Sequence, residues 1–234
     1  MTTHDVISEQ RLSGTLDAIE DVRFRGGTLS PAERERAATW IAARQGLPGA
    51  KSGSFAGFPT EVREGILAFT GERFTHASAR HILGEEACRA LRWLDVHEPD
   101  VRLALERADD GLTRAVALAE HDPRYDDNPG AYCCGKCSVG MWRNLVSGGL
   151  DRREERLRHG VGRFLRSTRA EGGRWRVFPF WYTVLALTEM DLAEATEELR
   201  FAAPVLERAV RRSTTSTVHG TRRGEIAHRA LRSL

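Results

Sequence analysis

Lysine is nearly absent from this chain: Lys51 and Lys136 are the only two among 35 basic residues. An arginine bias of that kind reflects coding composition and carries no functional weight. Long apolar runs are absent too. No stretch reaches the ~18 uninterrupted apolar residues of a membrane-spanning helix, and the best candidate, Phe178 to Leu187, is about half that length. Membrane insertion is therefore not expected. The first residues, MTTHDVISEQ, hold no basic segment followed by an apolar one, so no secretory signal is expected and the predicted location is cytoplasmic. There is no Gly-rich phosphate loop, no G-x-S-x-G elbow and no H-E-x-x-H pair. Those gaps argue against P-loop nucleotide hydrolysis, α/β-hydrolase chemistry and zincin-type proteolysis. Cysteine is scarce, with four in 234 residues, yet three of them fall within five positions: Cys133, Cys134 and Cys137.

Charge is balanced overall at +2, but unevenly spread. Residues 1–142 carry 17 basic and 22 acidic side chains, and residues 143–234 carry 18 and 11. The second half could thus meet an anionic partner. Its first arginine zone interleaves Asp151, Glu154, Glu155 and Glu171, the pattern of a solvated, salt-bridged helix face, so nucleic acid is not the expected partner.

Apolar spacing is helical almost throughout. Ser30-Pro31-Ala32-Glu33 combines an N-cap serine, a first-turn proline and a capping-box glutamate. Further helices are predicted from Thr60 through Phe69, over Ser78–Leu94 and Asp100–His121, then near 133–147, 151–169, 179–190 and 192–212. No strand alternation is evident. The expected class is all-α, with stacked helical hairpins forming one domain over residues 1–212 and a Ser/Thr linker with a basic helix over 213–234.

An internal echo supports the hairpin reading. Gly53-Ser-Phe-Ala-Gly-Phe-Pro59 matches Gly173-Arg-Trp-Arg-Val-Phe-Pro179, and Pro48-Gly49-Ala50 matches Pro129-Gly130-Ala131. The segment from Phe164 to Leu187, with its Gly-x-Trp turn followed by an aromatic and Thr-x-x-Ala-Leu, resembles a prenyltransferase/squalene-oxidase repeat. Trp40 to Phe69 matches it loosely. The resemblance implies an α/α toroid like that of terpenoid cyclases and related enzymes, here incomplete, because a toroid has about twelve helices. It also implies isoprenoid, thiol or peptide substrates. A homodimer would be one way to complete the core. The acidic D-x-D-D segment of terpenoid cyclases is missing, since Asp109-Asp110 and Asp126-Asp127 are isolated pairs.

The chemistry concentrates in Tyr132-Cys-Cys-Gly-Lys-Cys-Ser138. C-x-x-C spacing at a helix start lets two thiolates reach one tetrahedral ion, and the helix N-terminus favours the thiolate. The expected metal ligands are Cys133, Cys134 and Cys137, completed by His81 and Cys88, which share a helix face with Glu85. Zinc is the expected cofactor. An iron–sulfur cluster on the four thiols and a metal-free redox dithiol are the alternatives. A closed set of four ligands would make a structural zinc knuckle, whereas three with an open position would make a catalytic centre. A second candidate site is aromatic: Trp175, Phe178, Trp181 and Tyr182, with Phe55 and Phe58 in the matching repeat, could line a pocket for a small-molecule or peptide ligand. The competing reading is that they pack the core. Asp95, His97 and Glu98 are charged but lie before Pro99 in a predicted exposed loop.

Overall fold

A computed structural model describes residues 6–123, 128–212 and 217–234. Helix dominates, at 64% of the described residues. The described residues contain ten α-helices and two pairs of two-residue strands. Among the described residues no helix is long and apolar enough to cross a membrane. The contacts divide the chain into two compact units.

The first unit comprises residues up to 68, 73–115 and 147–151. It holds α1 (Leu12–Phe24), α2 (Pro31–Ala42), α3 (Pro59–Glu64), α4 (His76–Leu94) and most of α5 (Pro99–Glu120). Helix α4 packs against α1, α2 and α3, with Leu12, Ile41, Phe55, Leu83 and Leu94 at the centre. The Ser30 capping box forms as predicted: Ser30 Oγ accepts from the Glu33 N–H, and the Ser30 N–H donates to Glu33. Glu61 is a second, longer-range cap. Its carboxylate accepts the N–H groups of Phe58 (2.8 Å), Leu12 (3.0 Å) and Ser13 (2.8 Å), satisfying the exposed donors of two helix starts.

The helix expected from Thr60 through Phe69 is shorter than its apolar spacing suggests. It ends at Glu64, because Gly65 turns into the left-handed region at φ 85°. A Cβ on Gly65 would lie 2.5 Å from the Phe74 carbonyl oxygen. The chain instead pairs Ile66 with Phe74 and Leu67 with Arg73, forming β1 (Ile66–Leu67) and β2 (Arg73–Phe74).

The second unit comprises residues 69–72, 116–146 and 152–234. It holds α6 (Gly135–Val146), α7 (Arg153–His159) running on into a π-helical turn (Gly160–Leu165), the hairpin β3 (Arg169–Ala170) and β4 (Arg174–Trp175), then α8 (Phe180–Leu187), α9 (Ala193–Arg211) and α10 (Val218–Arg232). Apolar α8 is buried along almost its whole length, and Glu72 caps it by accepting the Trp181 and Tyr182 N–H groups at 2.9 and 2.7 Å. Gly172 and Gly173, whose pairing suggests a helix end, instead form the β3–β4 turn at φ 81° and 82°. The C-terminal helix, which the sequence sets apart beyond residue 212, packs against α8 and α9 and buries Ile226, Ala227 and Ala230. Of the expected linker, residues 213–216 lie outside the described residues, as does the Asp126-Asp127 pair. Thr217 caps α10 through its side-chain oxygen.

The arginine-rich zone is paired within this unit. Arg152 and Arg156 share buried Glu120, Arg158 meets Glu154, and Arg166 and Arg169 converge on Glu198. Glu198 is completely buried and also accepts the Trp175 indole N–H at 2.9 Å. Each of these arginines has an acidic partner within its own unit; of the interleaved acids Glu154 and Glu155 take part, and the buried partners Glu120 and Glu198 come from outside the zone.

Candidate metal centre

The approach to the cysteines is a tight turn. Asn128-Pro129-Gly130-Ala131 closes with the Ala131 N–H donating to the Asn128 carbonyl at 3.0 Å, and Asn128 Oδ1 accepts the Gly130 N–H at 3.0 Å. Proline at the second position presets this geometry. All four residues are buried.

Two contacts clamp the turn. The Trp142 indole donates to the Gly130 carbonyl at 2.8 Å. Gly130 also lies against Gly160 so closely that a Cβ on Gly130 would sit 2.0 Å from the Gly160 nitrogen. Gly160 opens the π-helical turn and is itself pressed on Trp142, where its own Cβ would meet Nε1 at 2.4 Å. Only glycine fits at these two crossings.

The chain then rises into α6. Cys133 takes a left-handed conformation at φ 60°. Ser138, one turn into the helix, reaches back: its Oγ accepts the Tyr132 N–H at 2.8 Å and donates to the Cys134 carbonyl at 2.9 Å. Gly135 opens the helix against the Val177 carbonyl, with no room for a side chain. These constraints fix Cys134 at the N-terminal end of α6, with the backbone N–H groups of Lys136 and Cys137 directed at its sulfur.

The result is a cluster of three thiols. Cys134 Sγ and Cys137 Sγ are 3.6 Å apart, and the Cys133 and Cys137 sulfurs lie within 4.8 Å of each other. Cys137 is fully buried while Cys133 and Cys134 are partly exposed. The hydrogen bond from Cys137, together with the helix N–H groups, pulls the Cys134 thiol down to about 5. Cys137 is driven the opposite way by its contacts with the Cys133 and Cys134 sulfurs and by burial.

The remaining expected ligands are in the first unit. His81 is 2% exposed on α4, and burial, reinforced by the charge of Lys51, lowers it to about 4. It is therefore neutral at physiological pH, the form that binds metals. Glu85 on the same helix is completely buried. Cys88 has other business: its thiol hydrogen-bonds Asp109 on α5, which also pairs with Arg92. Full burial pushes the Cys88 thiol well above its ordinary value.

The aromatic group is packed rather than open. Phe178 lies between Trp142 (5.5 Å) and Phe164 (5.1 Å), and Trp175 stacks on Phe180 at 5.7 Å. Buried Tyr182 sits under the Arg143 guanidinium, and half-buried Trp181 meets Phe180 edge-on. In the earlier repeat Phe55 is fully buried and Phe58 stacks with Trp40 and Arg44. Trp175, Phe178, Tyr182 and Phe55 are buried in their units, while Trp181 and Phe58 are half-buried. Asp95 and His97 lie on the exposed loop before α5.

Sequence reasoning identified the thiols but not Ser138, Trp142 or Gly160, which hold them. The Pro-Gly-Ala echo marked the turn, and the pairing of Gly130 with Gly160 had no local signature. No protein-family model matches the chain, and comparison with curated proteins and with solved structures also gives no match.

Proposed function

We propose that this chain binds one zinc ion through His81, Cys133 and Cys137, whose ligand atoms lie within 4.8 Å of one another, with Cys134, 3.6 Å from Cys137, drawn in as the fourth ligand of a closed, structural site. The observation that carries the reading is the spacing of the sulfurs. Zinc–thiolate bonds of ~2.3 Å in a tetrahedron place two ligand sulfurs about 3.8 Å apart, and Cys134 and Cys137 are already at 3.6 Å. A third thiol within 4.8 Å of Cys137 and a buried, neutral imidazole supply the Cys3His donor set that zinc favours. Cys88 is left out of the set because Asp109 holds it.

A closed site agrees with the stacking of Phe178 on Trp142 and of Trp175 on Phe180 in the second unit. On this reading the ion contributes directly to stability.

Elemental analysis of protein purified without a metal-affinity tag tests the reading. The expected result is about one zinc per chain, falling below ~0.2 in Cys137→Ala and unchanged in Cys88→Ala. Wild-type protein carrying less than ~0.2 of any transition metal would overturn it.

A further inference from the structure

The same sulfurs that suit a metal are placed for a second reaction. Cys134 and Cys137 sit at 3.6 Å, the contact distance of two sulfurs, on either side of the first turn of α6. Closing to the ~2.05 Å of a disulfide takes a movement of about 1.5 Å. Cys134 is partly exposed, so an oxidant can reach it, whereas Cys137 is buried behind it. An exposed attacking thiol backed by a buried resolving thiol is the arrangement of a reversible thiol switch. The two neighbours are poorer partners. Cys133 is adjacent to Cys134 in the chain, which strains any direct bridge, and Cys88 is engaged by Asp109.

We propose that Cys134 and Cys137 form a reversible disulfide when the protein meets hydrogen peroxide. This extends the zinc reading, on which it rests in part: both sulfurs belong to the proposed ligand set, so the bridge and the ion are mutually exclusive. The chemistry balances in two steps. Cys134 sulfur attacks a peroxide oxygen; the S–O bond forms, the O–O bond breaks, and the leaving hydroxide takes up the proton given up by the Cys134 thiol to become water, leaving a sulfenic acid. Cys137 sulfur then attacks Cys134 sulfur; the S–S bond forms, the S–O bond breaks, and hydroxide leaves with the Cys137 proton as a second water. Two electrons pass from the thiol pair to one peroxide. A dithiol reductant returns them and restores the ligands.

The test uses the full-length chain as purified. It is treated with hydrogen peroxide, its remaining thiols are alkylated, and it is digested with trypsin, while a chromophoric chelator follows released zinc. Cleavage after Lys136 separates Cys134 from Cys137, so the bridge appears as a linked peptide pair, and tandem mass spectrometry distinguishes Cys134 from Cys133. The expected result is a Cys134–Cys137 link that dithiothreitol reverses, with zinc released in step. Cys134→Ser should lose the link, while Cys88→Ser behaves as wild type. The wild-type peptide map decides the proposal even if a variant fails to fold. Sulfinic acid on Cys134 with Cys137 still a thiol, or a link from Cys137 to Cys133, would overturn it. A Cys134–Cys137 link that forms while zinc is retained would overturn the shared-ligand argument. A link that forms in protein found to carry no metal would sustain the dithiol and sink the zinc reading instead.

Discussion

Two turns in this molecule share a Pro-Gly-Ala sequence and a closing hydrogen bond but not a fate. Leu47-Pro48-Gly49-Ala50 and Asn128-Pro129-Gly130-Ala131 each close with the last N–H donating to the first carbonyl at 3.0 Å. Each is followed two residues later by a left-handed residue, Ser52 at φ 54° and Cys133 at φ 60°. The first turn lies on the surface, with Leu47 42% exposed and open space around Gly49. The second is buried and clamped by Gly160, Trp142 and Ser138. The lesson is that the backbone motif alone does not make a site. What turns it into one is the clamp, which aims the next residues at a fixed point, and the replacement of Ser52 and neighbours by thiols.

The comparison breaks most visibly at its glycines. Gly130→Ala drives a methyl into the Gly160 backbone and should cost about 3 kcal/mol or more. Gly49→Ala meets no atom and pays only for its φ of 97°, about 1 kcal/mol. Urea unfolding of both variants checks this, and equal losses would mean that the second turn is not clamped. Trp142→Phe comes next. It keeps most of the ring packing but orphans the Gly130 carbonyl, with an expected loss of about 2 kcal/mol in the same assay.

How far the sequence carried this account depends on the kind of interaction. The α2 start, the long α4 and α5 helices and the C-x-x-C at the head of α6 were legible, because capping residues and 3.6-residue periodicity are local signals. The end of α3 and the β1–β2 pair were not. Their apolar residues keep a helical rhythm, and only the contact of Gly65 with Phe74 forces the chain to reverse. The Gly-aromatic echo proved real at the backbone: Phe55 pairs with Gln45 as Trp175 pairs with Arg169. Sequence spacing left its aromatic residues with two readings, a pocket lining and a core filling, and Trp175, Phe178, Tyr182 and Phe55 are buried. Cys88 sits at the right helical spacing from His81, but its partner Asp109 comes from another helix and leaves no local trace.

The serines sharpen the comparison by smaller steps. Ser138 serves two backbone groups, and Ser138→Ala should cost about 2 kcal/mol by stranding the Tyr132 N–H. Ser54 donates once, to the Lys51 carbonyl, and Ser54→Ala should cost about 1 kcal/mol. Thermal or urea unfolding separates the two, and a Ser54 loss as large as that of Ser138 would remove the distinction.

The smallest effect on stability, and the most specific to the clamped turn, concerns reactivity. In metal-free protein the Cys134 thiol is lowered to about 5. Its thiolate is therefore present above that pH and lost as pH falls through it. Iodoacetamide labelling of Cys134 should stay near its plateau from pH 8 to about pH 6 and fall by half near pH 5. Cys88, buried and raised, should stay unlabelled over the same range. A Cys134 profile with its midpoint near 8.5, the value of an unperturbed thiol, would show that the helix N–H groups and Cys137 do not hold the thiolate.

The central claim is that the clamped turn gathers three sulfurs around one ion. X-ray absorption at the zinc edge of the purified protein tests it most directly, because it counts ligands by element. The account predicts about three sulfurs at ~2.3 Å and one nitrogen at ~2.0 Å. A first shell of nitrogen and oxygen alone would contradict it.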